Sequence, residues 1–140
     1  MRDLTTNIVT WYMVLASILN GSIMALRSEV FTSHPRFVHL DQMLHGHLEA
    51  FGAVLATAGL VKGVAALFGD GTPHLVAIKV RIIATLICGL CWSTNAYSQA
   101  TNVNQTGDWP GVLGMTLLSG LFILHAGARW VYYREIRHGR

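Results

Sequence analysis

Charge is the scarce ingredient of this chain. Of its 140 residues only 12% are Asp, Glu, Lys or Arg, while 52% are hydrophobic. Soluble domains carry roughly 25% charged residues, and so little polar surface cannot hold so much apolar side chain in water. Cysteine is scarce too. The only two, Cys88 and Cys91, form a C-x-x-C, which excludes a disulfide framework. The pair lies inside an apolar stretch, where thiols one turn apart read as small buried residues rather than a redox or metal pair. Internal repeats, low-complexity tracts and linkers are also missing, which leaves a single domain over residues 1–140.

What remains is four apolar stretches: Ile8 to Leu26, Leu44 to Phe68, Leu75 to Ser98 and Val112 to Tyr133. Each reaches the ~20 residues that carry a helix across a ~30 Å hydrocarbon core. The expected fold is therefore all-α, a polytopic membrane four-helix bundle whose first partner is the lipid bilayer. The first stretch is longer than the apolar region of a signal peptide, and Asp3 offsets Arg2 before it, so it is read as a retained span.

Position makes the charge informative. Arg2, Lys62, Lys79, Arg81, Arg129, Arg134, Arg137 and Arg140 all fall near the termini or the second connection. The first connection holds only Arg27 and Arg36, and the third has no basic residue. Positive residues stay on the cytoplasmic side, which puts both termini there and agrees with an even number of spans. The basic tail is then a topology signal, and nucleic acid is not an expected partner. Lys62, Lys79 and Arg81 are expected to snorkel to the cytoplasmic interface, or to pair with propionates if a cofactor sits on that side. Trp11, Tyr12, Trp130, Tyr132 and Tyr133 read as interfacial aromatics at the same side.

The connections differ in character. Arg27 to Met43 is the longest and most polar and should cap the external face. Gly69-Asp70-Gly71-Thr72-Pro73 is a tight turn between antiparallel neighbours. Thr101 to Pro110 should be a polar loop.

Polar groups converge toward the external level. His45, His47 and Glu49 open the second stretch, Trp92, Ser93, Asn95 and Tyr97 close the third, and Asn20 and Ser22 lie in the outer half of the first. Ionisable groups at membrane depth are costly and usually face a site, and sites in bundles are built from side chains on facing helices. If the second helix starts at Leu44, His45 and Glu49 share a face and His47 points away. Gly52, Ala56, Gly59 and Gly63 continue the His45 face. That stripe reads either as close helix packing or as a side-chain-poor groove for a flat cofactor such as haem, which needs an axial imidazole and an apolar slot. His125, on the fourth stretch, lies about 20 Å below this level by helical rise.

On two short segments the chain resembles the styrene oxide isomerases, small bacterial membrane proteins of four transmembrane helices. That family has a His, five residues and then Asn-Gly at the start of helix two; this chain has His45-Gly46-His47-Leu48-Glu49-Ala50-Phe51-Gly52. The family has a Trp-Ser-Asn segment followed by a Tyr on helix three; this chain has Trp92-Ser93-Thr94-Asn95-Ala96-Tyr97. Phe51 stands where the family has Asn, and Tyr97 falls one residue early. The resemblance implies a homotrimer in the bacterial inner membrane with haem b near the subunit interfaces. It implies an epoxide isomerase that turns a hydrophobic epoxide into an aldehyde, with ferric iron as Lewis acid. Carried over, His45 is the haem-iron ligand and Gly52, Trp92 and Ser93 line the cofactor. Asn95 and Tyr97 are the polar groups beside the substrate.

The residues also admit other readings. One is a small oligomeric pore of the holin kind, which needs a polar face running through the membrane. Another is a haem b electron-transfer or anchor protein using His45 or His47 with His125. A third is a metal site of His45, His47 and Glu49.

Overall fold

Every regular element among the described residues is a helix. The structure, a computed structural model, describes residues 4–68 and 75–139, with side chains over 8–67 and 75–139. The expected Gly69–Pro73 turn, and Arg2, Asp3 and Arg140, lie outside them. The elements are α1 (Leu4–Leu26), α2 (Ser28–Thr32), α3 (Pro35–Met43), α4 (Leu48–Phe68), α5 (Leu75–Thr106) and α6 (Trp109–Arg137). Four of these, α1, α4, α5 and α6, are long and apolar enough to cross a bilayer. Their order places the start of α1, the end of α4, the start of α5 and the end of α6 at one end, called here the termini end. Helices α2 and α3 lie at the other, the cap end.

The four long helices pack in chain order, α1 on α4, α4 on α5 and α5 on α6. Met13, Leu55, Cys88, Trp92 and Phe122, drawn from all four, form one buried cluster. The outward faces are as apolar as the core. Leu15, Leu19, Leu60, Leu90, Leu117 and Leu124 are all exposed, a surface that belongs in lipid, because soluble monomers rarely expose large contiguous apolar patches.

Small residues set the closest approach. Gly21 on α1 faces Gly52 and Ala56 on α4, Gly59 faces Ser17 and Ile18, and Gly63 faces Val14. A Cβ on Gly52 would sit 2.6 Å from the Ala25 nitrogen and 2.7 Å from the Gly21 carbonyl oxygen. Side chains of any size there would drive the two backbones apart. Of the two readings of the Gly52–Gly63 stripe, the structure has the packing one.

Two boundaries depart from expectation, each at a residue with positive φ. The second span starts at Leu48 rather than Leu44, because His45 (φ 51) and Gly46 (φ 78) are both left-handed and end the helical course after α3. The third connection is not a loop from Thr101. The helix continues to Thr106 and stops at Gly107 (φ 67). Nothing before Gly107 breaks it, and Thr101 and Thr106 donate their hydroxyls to carbonyls on the preceding turn. With 32 residues, α5 is about 48 Å long, more than a ~30 Å core needs. Its polar last turns reach the cap, where Asn102 donates to the Pro35 carbonyl (3.3 Å). Asp108 then caps α6 by accepting from the Gly111 amide (3.1 Å) and pairs with Arg36 of α3. The expected external cap is thus two helices, tied to both α5 and α6.

Gly52→Leu should cost about 3 kcal/mol or more, because the clash is with backbone rather than a movable side chain. Gly114 and Gly120 of α6 have nothing within 4 Å of a built Cβ. Alanine at either should leave stability unchanged or raise it by up to about 1 kcal/mol. Reversible unfolding in mixed micelles, followed by far-UV circular dichroism, separates the two outcomes.

Candidate functional site

At the cap end the chain turns from α3 into α4 through Leu44-His45-Gly46-His47. The turn is closed by backbone bonds from the His45 amide to the Gln42 carbonyl (3.1 Å), from Gly46 to Asp41 (3.0 Å) and from His47 to Leu44 (3.0 Å). His45 and His47 are both exposed. Because His45 precedes the helix, the expected face shared with Glu49 does not exist. Glu49 instead accepts a hydrogen bond from Ser28 (2.9 Å), fastening the cap to the first turn of α4. Among the described residues no group of three or more His, Cys, Asp or Glu is placed to hold a metal ion, so His45, His47 and Glu49 do not come together as one.

The α5 candidates separate by phase. Trp92 is buried and its indole N–H donates to the Ser17 hydroxyl of α1 (3.3 Å). Ser93 donates to the Gly89 carbonyl (2.8 Å) and shares a hydrogen bond with Ser119 of α6. Asn95, buried, accepts from Gln99 (3.1 Å) and lies against the Met115 sulfur (3.8 Å). These three residues tie α5 to its neighbours. Tyr97 is different, with 62% of its surface exposed.

Gly52, implied by the resemblance to line a cofactor, is covered by Gly21, Met24 and Ala25 of α1. No slot exists on that face. A shallow apolar groove of about 430 Å³ does run down the opposite side, in the seam between α4 and α5, lined by Ala53, Val54, Thr57, Ile83, Ala84 and Ile87. A second hollow of about 580 Å³ continues it toward the termini end, sharing Val61 and Val80. The groove begins about 7.5 Å along α4 from its first residue, on the side of the helix that follows the His45 turn. Leu90, Thr94 and Tyr97 extend the Ile83–Ile87 face of α5 toward the cap by alternating steps of three and four.

A haem asks for an exposed imidazole and a flat apolar bed. His45 is an exposed imidazole and the seam an apolar groove, while Gly52, Trp92 and Ser93 are used inside the chain. A group seated on the seam would be covered by the chain on one side only. His125 lies far from this level: it is 16 residues from the start of α6, about 24 Å. It cannot share one iron with His45.

The polar groups do not stop at the cap half, contrary to the expectation from sequence. Lys62 is 1% exposed and Arg81 5%, so neither snorkels. Only Lys79 behaves as expected, exposed with its ammonium 5.6 Å from the Tyr133 ring centre. Lys62 sits between Gly59 and Gly63, on the face that packs against α1. Its ammonium touches the Met13 sulfur (3.6 Å) and lies over the Phe122 ring (4.7 Å). The signal was in the phase: Leu55, Ala58, Gly59, Lys62, Gly63 and Ala66 are one buried face, and a lysine there must go inward.

Comparison of the chain with protein-family models, with curated proteins and with solved structures finds no match. The residues themselves carry the functional argument.

If Trp92 is a packing residue, Trp92→Phe and Ser17→Ala should each destabilise the bundle. A double-mutant cycle between them should show a coupling of about 0.5–1.5 kcal/mol, the range of interhelical hydrogen bonds in membranes. A coupling of zero in the same micellar unfolding assay would mean that the indole N–H serves something other than α1.

Proposed function

We propose that this chain is a haem b-binding isomerase of the bacterial inner membrane, with both termini cytoplasmic, acting on a hydrophobic epoxide as a homo-oligomer, by resemblance a trimer. One observation carries the reading: an exposed imidazole, His45, held in a left-handed turn at the end of a helix pair whose outer seam is a shallow apolar groove. Pockets of a few hundred cubic ångströms with sparse polar groups are typical small-molecule sites.

His45 is the residue that would hold the iron, and the Ala53–Ala84 seam the bed for the macrocycle's edge. Bound ferric haem supplies a Lewis acid for the epoxide oxygen. The reaction is internally balanced. One C–O bond breaks, a hydride moves to the neighbouring carbon and the oxygen becomes the aldehyde carbonyl, with no outside oxidant or reductant. The chain's own residues supply the setting. The seam opens sideways, so a lipid-dissolved epoxide reaches it without crossing water, and the apolar lining keeps water from the opened ring. Tyr97 offers a phenol hydroxyl on the same face of α5. Asn95 acts as a positioning residue, since its amide is engaged by Gln99 and Met115.

Two alternatives lose ground on particular contacts. Two of the buried polar residues of α5 bond within the chain, Thr85 to the Arg81 carbonyl (2.6 Å) and Trp92 to Ser17, where a pore would leave such groups facing water. A single haem ligated by both His45 and His125 is ruled out by their axial separation.

Protein purified in mild detergent from haem-replete cells should show a Soret band and convert an aryl epoxide to its aldehyde. His45→Ala should remove both, whereas His47→Ala should keep the band. Colourless wild-type protein, or an unchanged spectrum in His45→Ala, would overturn the proposal.

A further inference from the structure

The seam between α4 and α5 holds one hydroxyl that the rest of the chain does not answer. Its two hollows, of about 430 and 580 Å³, share Val61 and Val80 and run together along α4 from Ala53 to Ala65, a length of about 18 Å by helical rise. Among the described residues that line them, Thr57 is the only polar one. A purely apolar seam would take any hydrocarbon alike. The hydroxyl makes it selective.

Among the described residues Thr57 has no hydrogen-bond partner. Thr85, Thr94, Thr101, Thr106 and Thr116 each donate to the carbonyl four residues back, the local bond open to a helical threonine. Thr57 does not return its hydroxyl to its own helix in this way. The facing wall cannot serve it either, since Val80, Ile83, Ala84 and Ile87 of α5 carry no polar side-chain atom. Nor is water at hand. Thr57 is nine residues from the start of α4 and eleven from its end, about 14 and 17 Å, which puts it near the middle of a ~30 Å hydrocarbon core. A hydroxyl in hydrocarbon without a partner is unfavourable, and what it lacks is an acceptor for its single O–H donor.

We infer that the lower seam binds a neutral, lipid-soluble chain with an acceptor oxygen near one end, a long-chain ketone or ether, and that Thr57 donates to that oxygen. The larger hollow sets the direction. It lies on the termini side of Thr57, is lined by Leu60, Val61, Val64, Ala65 and Val76 among others, and gives the tail about 12 Å of apolar wall from Thr57 to Ala65. Hollows of this size with a single polar group match small-molecule sites. Carboxylates and amines do not fit, because an ion at mid-depth is far costlier than a neutral carbonyl. The site shares the seam with the isomerase reading but rests on the groove alone. Thr57 lies too far below the His45 turn to touch an oxygen held by an iron there, so the two readings stand or fall separately.

The test is infrared spectroscopy of the full chain in vesicles of ether-linked phosphatidylcholine, a lipid without carbonyls, titrated with 2-tridecanone labelled with carbon-13 at its carbonyl. A hydrogen bond lowers the carbonyl stretching frequency. Wild type should therefore show a second band below that of ketone dissolved in lipid, saturating at about one ketone per chain. Thr57→Val should remove that band and weaken binding about fivefold, the worth of one hydrogen bond, while Thr57→Ser keeps it. Val64→Trp, which fills the tail's hollow, should remove it with the hydroxyl still in place. Thr116→Val, at a threonine bonded to its own helix, should match wild type. Thr57 and Val64 are both exposed, so neither change disturbs the core, and far-UV circular dichroism checks the fold. A wild type without the lowered band, or an unchanged band in Thr57→Val or Val64→Trp, would overturn the inference. The Soret band is a separate readout: colourless protein with the lowered carbonyl band supports this site and counts against the haem alone.

Discussion

The near contact of α1 and α4 fixes the rest of the molecule. A helix pair that touches backbone to backbone has one rotational solution, because only the glycine-bearing faces can meet. With Gly52, Gly59 and Gly63 turned to α1, every other residue of α4 has its direction assigned. Leu55 and Ala58 enter the core, and Ala53, Val54 and Thr57 form one wall of the seam with α5. Lys62, between two of those glycines, has no route outward. Both the lateral groove and the buried ammonium therefore follow from the same small-residue stripe. They lie at different depths and on different faces of a single helix, which separates the chemistry of the two halves.

The second constraint acts along the axis. A helix of α5's length overshoots the hydrocarbon, and the excess has to be covered by protein or wetted. Here α3 covers it, with Asn102 bonded to the Pro35 carbonyl and Asp108 joining the α6 N-terminus to Arg36. The cap is thereby coupled to three of the four spans, since Glu49 receives Ser28 at the start of α4. The His45 turn is the free edge of this braced layer. Its imidazole is exposed while the backbone beneath it is held by consecutive hydrogen bonds, the condition under which a surface side chain serves as a ligand without dragging the fold.

The spans were legible because hydropathy over about 20 residues is a coarse signal that local detail does not disturb. The first and last residues of α4 and α5 were less so. Apolar Leu44 looks like the start of a span, yet what decides the boundary is a pair of left-handed residues, His45 and Gly46, and a histidine does not announce a positive φ. Thr101 to Thr106 reads as loop by polarity, but threonines that return their hydroxyls to the preceding turn sustain a helix. The candidate site was legible as a set of polar residues at one level but is not one constellation. Trp92, Ser93 and Asn95 differ from Tyr97 by helical phase, and phase has meaning only once the neighbours are known. Gly52 carries the same ambiguity, since a missing side chain admits a cofactor and a backbone equally well.

Lys62 is the most instructive departure, because the snorkelling rule and the phase of its helix give opposite answers. Snorkelling assumes that a long side chain can run along its helix to water, which requires a free lane on the surface. A lysine flanked by Gly59 and Gly63 has no such lane, since α1 closes over both. Pairing with a neighbouring carboxylate is the usual remedy, yet the contacts of its ammonium are the Met13 sulfur and the Phe122 ring. The ring face returns part of the desolvation of the ammonium, and the remaining cost, on the order of several kcal/mol for a buried ion, is borne by the close packing of α1 on α4 that leaves the side chain no other place.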